Sequence, residues 1–509
     1  MPRRLTGKRC NAANEARVPP ESKLVAIEGT DRSVWPGTAP TKETPDGGIW
    51  LTAWLHPRRG GELDTAKAQA LGATRASQRT YADRAAFSQE TGADPAHVDT
   101  LRRFCAATGI EVVAEHWRSL VMSASIPAFV EAFDAKVGIY EFPDGRRFRN
   151  RSGALHAPAE IASIVRGPFG LHQWPRSHAV GSLHSDVVPL RPVEIASRYH
   201  FPDADGSGET IGILQMRGAF SPDDFAKCMQ AAGVAAKTPI VKRVDNADLS
   251  HEIATAKDVE SAIDTQIVGT LAPGAQIVVY ATPDNERGVL DAIRTAIFDD
   301  EHKLSILSIS FGFPEHLWTP AALAILNDLF AAAALLGVTI FCASGDHGAE
   351  VDAEGKPHVL APASSPFAHG CGGTQIEADG SETGWAQTGG GFSERFGTPP
   401  WQKAGSGRGV PDVAAQVRPG YGVFFEGSQV AMGGTSAAAP MWAALTARIN
   451  QRIGRPVGFF APLLYDAAPG ALFRDVLSGG NDRYACAAGW NPSTGLGVPI
   501  GDAIENALR

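Results

Sequence analysis

Short, continuous apolar runs alternate with amphipathic stretches through the second part of the chain. Four of these runs predict strands that are buried on both faces, at residues 211–215, 276–281, 304–310 and 338–343. Helical periodicity between the runs predicts helices at residues 222–232, 256–270, 288–299 and 320–336. This alternation predicts an α/β fold with a doubly wound, mainly parallel sheet, in which sites lie at the carboxyl ends of the strands.

The first part of the chain has a different pattern. Residues 1–45 are rich in Pro, Lys, Arg and Thr and predict a loosely ordered leader. Residues 46–169 predict an α+β domain with strands at 49–55, 109–115 and 138–142 and helices at 80–91, 95–107 and 126–133. Residues 170–189 contain Pro, Gly, Ser and three His without periodicity, so we expect a linker before the α/β domain of residues 190–509.

Composition and charge narrow the class of protein. The net charge of −9 argues against a nucleic-acid partner, and the chain has no apolar run of the roughly 20 residues that would span a bilayer, so we expect no membrane partner. Residues 1–187 carry 24 Lys and Arg against 20 Asp and Glu, whereas residues 188–509 carry 22 against 35. Opposite charges suggest an electrostatically assisted contact between the two parts, although two separately solvated surfaces would explain them equally well.

Six widely spaced cysteines without a CxxC pair exclude a disulfide-dense scaffold and a common zinc site. We expect most of them to be buried apolar side chains.

Ser436 is the candidate nucleophile. It follows two glycines in GGTSAAAP (433–440), and a long apolar helix is predicted directly after it. A serine at a helix N-terminus lies beside free backbone N–H groups that favour a developing negative charge, although an N-capping serine without chemistry is the plainer interpretation. Neither His251 nor His347 lies in a motif typical of the histidine of a serine peptidase.

Carboxyl groups are the alternative base. Glu260 and Asp264 are four residues apart on a predicted helix and therefore share one face. Two carboxyls held together in a partly buried place share a proton, which raises one pKa and suits a base that works at low pH. Taken alone, this segment would more often be a solvated acidic helix face.

Asp346 follows a predicted buried strand in VTIFCASGDHG (338–348) and is therefore expected at the carboxyl end of the sheet. A protonated Asp there could donate a hydrogen bond to an oxyanion, whereas a turn-capping Asp is the ordinary alternative.

Together these segments resemble the sedolisin family, the serine-carboxyl peptidases. The resemblance runs from about residue 50 onward and includes GGGFSERF (389–396), GRGVPDVAA (407–415) and GWNPSTGLGVPIG (489–501). It implies a subtilisin-like fold in which Ser436 is the nucleophile, Glu260 the general base, Asp264 its orienting acid and Asp346 the oxyanion donor. It also implies an acid endopeptidase made as a self-processing zymogen, with residues 46–169 as an inhibitory propeptide that is cleaved off within 170–189.

The family also binds one structural calcium ion. The matching positions here are Asp475, Val476, Ala487, Gly489 and Asn491, and Asn491 departs from the usual Asp. The loss of one negative charge is expected to weaken calcium binding. Two further departures, Gln215 for Glu and Phe311 for Trp, are expected to retune the base or the pH optimum.

The resemblance further implies a monomer that acts on proteins or peptides outside the cell, although the N-terminus has no standard signal sequence. A catalytically silent binding or inhibitory relative is the main alternative, and a neutral subtilase with an unrecognised histidine is a weaker one.

Overall fold

The computed structural model describes residues 23–173, 182–184, 191–216, 220–245, 247, 256–349, 351, 355–403, 405 and 407–509. Of the strand at 182–184 and of residues 256–259 only the backbone is described. In these ranges, no helix combines the length and the apolar character that crossing a membrane requires.

A large sheet forms the centre of the second unit, residues 191–509. Within the described residues it has eight strands. Six parallel strands follow one another in the order Ile240–Arg243, Gln276–Thr282, Thr210–Met216, Ile306–Ile309, Thr339–Ala343 and His369–Ile376. The last of them also pairs with the parallel strand Val413–Arg418 and the antiparallel strand Glu382–Gly384. The predicted mainly parallel sheet is therefore confirmed.

Helices cover both faces of this sheet. Ala256–Leu271 and Thr435–Ile453 pack together on one face, and Glu286–Ile297 and Pro320–Leu336 pack together on the other. Side chains of the strands alternate between the two cores: Ile213 belongs to the first and Leu214 to the second. The remaining helices of this unit are Pro192–Arg198, Pro222–Ala232, Ala461–Asp466 and Gly501–Leu508.

Short strands complete the second unit. Tyr421–Phe425 and Ser428–Gly433 form an antiparallel hairpin that leads into the helix of Ser436. The other pairs are Phe313–Pro314 with Leu360–Ala361, Gly391–Phe392 with Gly409–Val410, and Phe473–Arg474 with Val498–Pro499.

The front unit, residues 23–173, is an α+β fold. Its four-stranded antiparallel sheet has the order Glu111–His116, Ser119–Ser125, Gly48–Leu55, Val165–Phe169. A second sheet contains Ala39–Pro40, Lys136–Glu141 and Arg147–Ser152, and Leu24–Ala26 pairs with His156–Pro158. The helices are Thr65–Gly72, Arg84–Thr91, Pro95–Ala107, Ile126–Ala132 and Ala159–Ala162.

The structure differs from the leader predicted over residues 1–45. From Leu24 onward the chain pairs with the front unit, and Arg32 forms a buried ion pair with Glu286 at 2.6 Å. The prediction is therefore wrong for residues 23–45, because strands of two or three residues are too short to show periodicity. Residues 1–22 lie outside the described residues.

The front unit packs on the outer helices of the second unit. Trp54, Trp117 and Phe169 join the same apolar core as Glu286–Ile297 and Pro320–Leu336. Polar contacts also cross the contact surface: a guanidinium nitrogen of Arg294 donates to Ser119 Oγ at 2.7 Å.

The chain between the two units passes close to the Ser436 helix. Ser182–His184 pairs antiparallel with Ser428–Gly433, in the register Ser182 to Gly433. Part of the predicted linker 170–189 thus forms an outer strand, and the strand with which it pairs ends three residues before Ser436. Residues 174–181 and 185–190 lie outside the described residues.

Candidate active site

Ser436 lies in the first turn of Thr435–Ile453 and has 0% of its surface exposed. Gly434 before it adopts φ +111°, a conformation that a side chain would strain, which is why a glycine begins this turn. Pro440 has no N–H, so the Ser436 carbonyl lacks the partner that the helix would otherwise supply four residues later. The Ser436 hydroxyl donates to the backbone carbonyl of Ser310 at 3.0 Å.

Glu260 and Asp264 lie on Ala256–Leu271, one turn apart. Burial raises the pKa of Glu260 well above its usual value; the neighbouring Asp264 raises it further, and a hydrogen bond with Ser436 opposes both. Burial also raises the pKa of Asp264 well above its usual value. The Ser310 hydroxyl donates to Asp264 Oδ1 at 2.7 Å, and this hydrogen bond acts to lower that pKa. The helix thus holds two coupled carboxyls beside Ser436 rather than a solvated acidic face.

Asp346 follows the strand Thr339–Ala343 and reaches the start of the Ser436 helix. Its Oδ1 accepts hydrogen bonds from the backbone N–H and the hydroxyl of Thr435, both at 2.7 Å. Its Oδ2 is buried and has no hydrogen-bond partner among the described residues. Burial raises the pKa of Asp346 to about 8, although Thr435 and Arg418 act in the opposite direction.

The four residues predicted for catalysis therefore lie in one cluster at the carboxyl edge of the sheet, where Glu260 is half-buried and the other three are buried. Gln215 and Phe311, where the sequence departs from the family, are buried on neighbouring strand ends. Sequence analysis missed Ser310, which contacts both Asp264 and Ser436. His251 lies outside the described residues.

Comparison with known proteins identifies the family. Residues 53–173 match the pro-kumamolisin activation domain, and residues 248–459 match the subtilase family. The chain is 37% identical to kumamolisin from a Bacillus species, over 91% of this chain and 92% of that one. It belongs to the sedolisin family of serine peptidases.

Other relatives agree with this membership. Sedolisin from Pseudomonas is 27% identical over 74% of this chain and 73% of its own. The solved structure of Pseudomonas sedolisin, a serine-carboxyl proteinase, superposes with a TM-score of 0.57 at 26% identity and covers 63% of this chain and 98% of that one. The chain is thus a serine-type peptidase with a subtilisin-like fold, and its activation domain marks it as self-processing.

Hydrogen bonds join four of the five residues predicted to bind calcium in the C-terminal loop, and the fifth, Val476, follows Asp475 in the chain. Asp475 Oδ1 accepts from the Gly489 N–H at 3.0 Å, which fixes the carboxylate beside the loop carbonyls. The amide nitrogen of Asn491 donates to the carbonyls of Ala487 at 3.1 Å and Gly489 at 3.4 Å. Asp475 and these carbonyls supply the oxygens that calcium prefers and therefore fit the ion. Asn491 instead directs its NH2 toward the carbonyls, because its Oδ1 accepts from the N–H groups of Ser493 at 3.1 Å and Thr494 at 2.9 Å.

A second acidic group lies far along the chain from this loop. Asp299, Glu301 and His302 bring three possible ligand atoms within 4.8 Å of one another. However, the Lys242 ammonium lies 2.8 Å from Asp299 Oδ2, so a cation already occupies this group.

The five cysteines in the described part of the chain are buried and free, as expected.

Proposed function

We propose that this protein is an endopeptidase that cleaves proteins at acidic pH. In this proposal Ser436 is the nucleophile, Glu260 the general base, Asp264 its orienting acid and Asp346 the oxyanion donor. The observation that carries the proposal is the position of Ser436 among three carboxyl groups with raised pKa values, of which Asp264 and Asp346 are buried and Glu260 is half-buried.

Each group has a distinct chemical task. Ser436 Oγ attacks the substrate carbonyl carbon while its proton passes to Glu260, which Asp264 orients. The resulting oxyanion accepts hydrogen bonds from the protonated Asp346 and from backbone N–H groups at the start of Thr435–Ile453. Protonated Glu260 then gives its proton to the leaving amine, and water hydrolyses the acyl-enzyme by the same steps in reverse.

The directions of the pKa shifts set the two limits of the active pH range. The active form carries one proton on the Glu260–Asp264 pair and one on Asp346. As the pH falls, a second proton enters the pair and the base is lost. As the pH rises through about 8, Asp346 ionises and no longer donates to the oxyanion.

We propose that the front unit inhibits the enzyme until it is removed by cleavage within residues 170–189. The pairing of Ser182–His184 with Ser428–Gly433 supports this, because it brings the linker beside the strand that precedes Ser436. Acid release would follow from protonation of carboxylates at the contact between the two units.

We further propose that the C-terminal loop binds one structural calcium ion. Asp475 and the carbonyls of Val476, Ala487 and Gly489 would hold it, and the Asn491 oxygen would join them only by giving up its hydrogen bonds from Ser493 and Thr494. It would tie the C-terminal loop together, and we propose weak binding because Asp475 is the one charged ligand in this set. By family resemblance we further propose an exported monomer; culture fractionation and size-exclusion chromatography test these two points.

A catalytically silent relative remains the competing function, and one pair of proteins separates the two. Purified full-length protein is incubated at about pH 4, and the new N-terminus is determined by mass spectrometry. We expect processing within 170–189 and hydrolysis of a denatured protein substrate, with both activities absent in Ser436→Ala. No processing and no hydrolysis by the unmodified chain would overturn the proposed function. A rise of activity toward neutral pH would instead favour histidine-based catalysis.

A further inference from the structure

Ser310 contacts both the acid pair and the nucleophile. It follows the central strand Ile306–Ile309 and is 1% exposed. Its hydroxyl donates to Asp264 Oδ1 at 2.7 Å, and its backbone carbonyl accepts from Ser436 Oγ at 3.0 Å. One residue therefore contacts both ends of the proposed chain from Ser436 through Glu260 to Asp264.

The Ser310 hydroxyl has a second acceptor. It lies 3.3 Å from the backbone carbonyl of Ser436, which Pro440 leaves without its usual helical partner. The hydroxyl has a single proton, and the shorter distance favours the carboxyl of Asp264.

The contact also restricts where Asp264 carries its proton. Because Oδ1 accepts from Ser310, the proton that the pair shares must lie on the other oxygen of Asp264. From there it can be donated to Glu260, which leaves Glu260 free to accept the proton of Ser436. Without the contact to Ser310, either oxygen of Asp264 could carry the proton.

We propose that Ser310 is a positioning residue for the reaction, with its side chain aligning Asp264 and its backbone carbonyl aligning the Ser436 hydroxyl. This inference rests on the proposed function. Ser310 touches no substrate atom and acts through Asp264 and Ser436. The other charged groups that act on the cluster are Asp346, through Glu260, and Arg418, through Asp346.

The test compares Ser310→Ala with Ser308→Ala in the full-length protein. Ser308 lies on the strand that Ser310 follows, is 0% exposed, and its hydroxyl has no hydrogen-bond partner among the described residues. Both variants lose a buried hydroxyl, but only Ser310→Ala removes the contact with Asp264. The Ser310 backbone carbonyl stays in place in the variant, so the comparison isolates the side chain.

We expect Ser310→Ala to lower kcat by about 10- to 100-fold while KM changes little, because a misplaced base slows chemistry without weakening binding. A carboxylate that loses a hydrogen-bond donor has a higher pKa. The acid limb of the pH–rate profile should therefore move up by about one pH unit. Ser308→Ala should keep the profile of the unmodified enzyme.

Ser310→Cys, which keeps a weak donor, should recover part of the rate and move the acid limb back. It also serves as the second variant if Ser310→Ala does not fold, which thermal unfolding shows. An unchanged pH profile in Ser310→Ala, or equal losses in Ser310→Ala and Ser308→Ala, would overturn the inference. If the unmodified chain hydrolyses nothing, the proposed function fails, and this outcome is distinct from the other two.

Discussion

At the scale of residues, the carboxyl groups around Ser436 have different surroundings and therefore suit different roles. Glu260 and Asp264 lie one helical turn apart and influence each other's protonation. Thr435 donates to one oxygen of Asp346, and the second oxygen has no hydrogen-bond partner within the part of the chain that the structure describes. The coupled pair suits proton transfer, and the isolated acid suits hydrogen-bond donation.

Replacing Asp346 separates its donor role from its charge. Asp346→Asn keeps a side-chain oxygen for the Thr435 contacts and places an N–H at the free position. We expect it to retain more activity than Asp346→Ala, which should lose about 10²- to 10³-fold in kcat, the cost of one oxyanion donor. An amide does not ionise, so the alkaline limb that Asp346 sets near pH 8 should disappear in Asp346→Asn.

Rates measured from pH 3 to 9 for the three enzymes check this prediction. An alkaline limb in Asp346→Asn identical to that of the unmodified enzyme would show that another group sets it.

Much of this site was predictable from local sequence, but the contact of Ser310 was not. The motifs around Ser436 and Asp346 show their chemistry within a few residues, because glycines and a following helix favour such turns. Ser310 lies 46 positions from Asp264 and 126 from Ser436 in the sequence. Only the strand order of the sheet brings it to them, and strand order is not encoded in any single segment.

At the scale of elements, the predicted helices were the most accurate. The bounds of Pro222–Ala232 and Pro320–Leu336 agree with the prediction, because each has proline in its first turn and a following glycine at positive φ. The helix predicted at 80–91 begins only at Arg84, where Asp83 caps it. The short strands before residue 45 and after residue 410 were missed, since their periodicity is too brief.

The C-terminal loop gives a prediction at this scale. In Asn491→Asp, a carboxylate replaces the amide that donates to the carbonyls of Ala487 and Gly489. Without calcium, a carboxylate oxygen of the new Asp lies against the carbonyl oxygens of Ala487 and Gly489. Because these oxygens repel each other, we expect the variant to unfold at a lower temperature than the unmodified protein in EDTA. With millimolar calcium, two carboxylates and several carbonyls bind the ion, and we expect an increase of several degrees.

Thermal unfolding of both proteins in EDTA and in calcium measures these differences. The unmodified protein should respond less to calcium than Asn491→Asp does. A larger calcium response in the unmodified protein would contradict weak binding through Asn491.

At the scale of the whole molecule, buried charged groups lie where the front unit packs on the second unit, and their effects on acid release differ in sign. Asp245 pairs with Arg287 at 2.8 Å, and burial raises the pKa of Asp245 to about 8. A group whose pKa is raised in the docked form favours docking as the pH falls. Asp245 therefore opposes acid release, and other groups must drive it.

His172, inside the front unit, has a pKa shift of the opposite direction. It is 4% exposed and stacks on Trp35 with ring centroids 6.0 Å apart. Neither ring nitrogen has a hydrogen-bond partner among the described residues. Burial lowers its pKa well below the usual value, and three positive side chains add to the effect: Arg32, Arg151 and Arg149.

The sign of this shift favours opening in acid. Because the folded form binds the proton less well than the open form, stability is present above the ordinary pKa of histidine, about 6.5, and is lost as the pH falls below it. At pH 5 the loss amounts to about 2 kcal/mol if His172 stays neutral in the folded form. This contribution has the direction that acid release of the front unit requires.

His172→Phe, made in the Ser436→Ala background to prevent processing, should remove this contribution while preserving the stacking on Trp35. We expect its unfolding temperature to fall less between pH 7 and pH 5 than that of Ser436→Ala alone. The matched control is His156→Gln in the same front unit, where the imidazole is partly exposed and lies 3.6 Å from Asp134. An identical fall in His172→Phe and in its parent would exclude His172 as a source of the acid response.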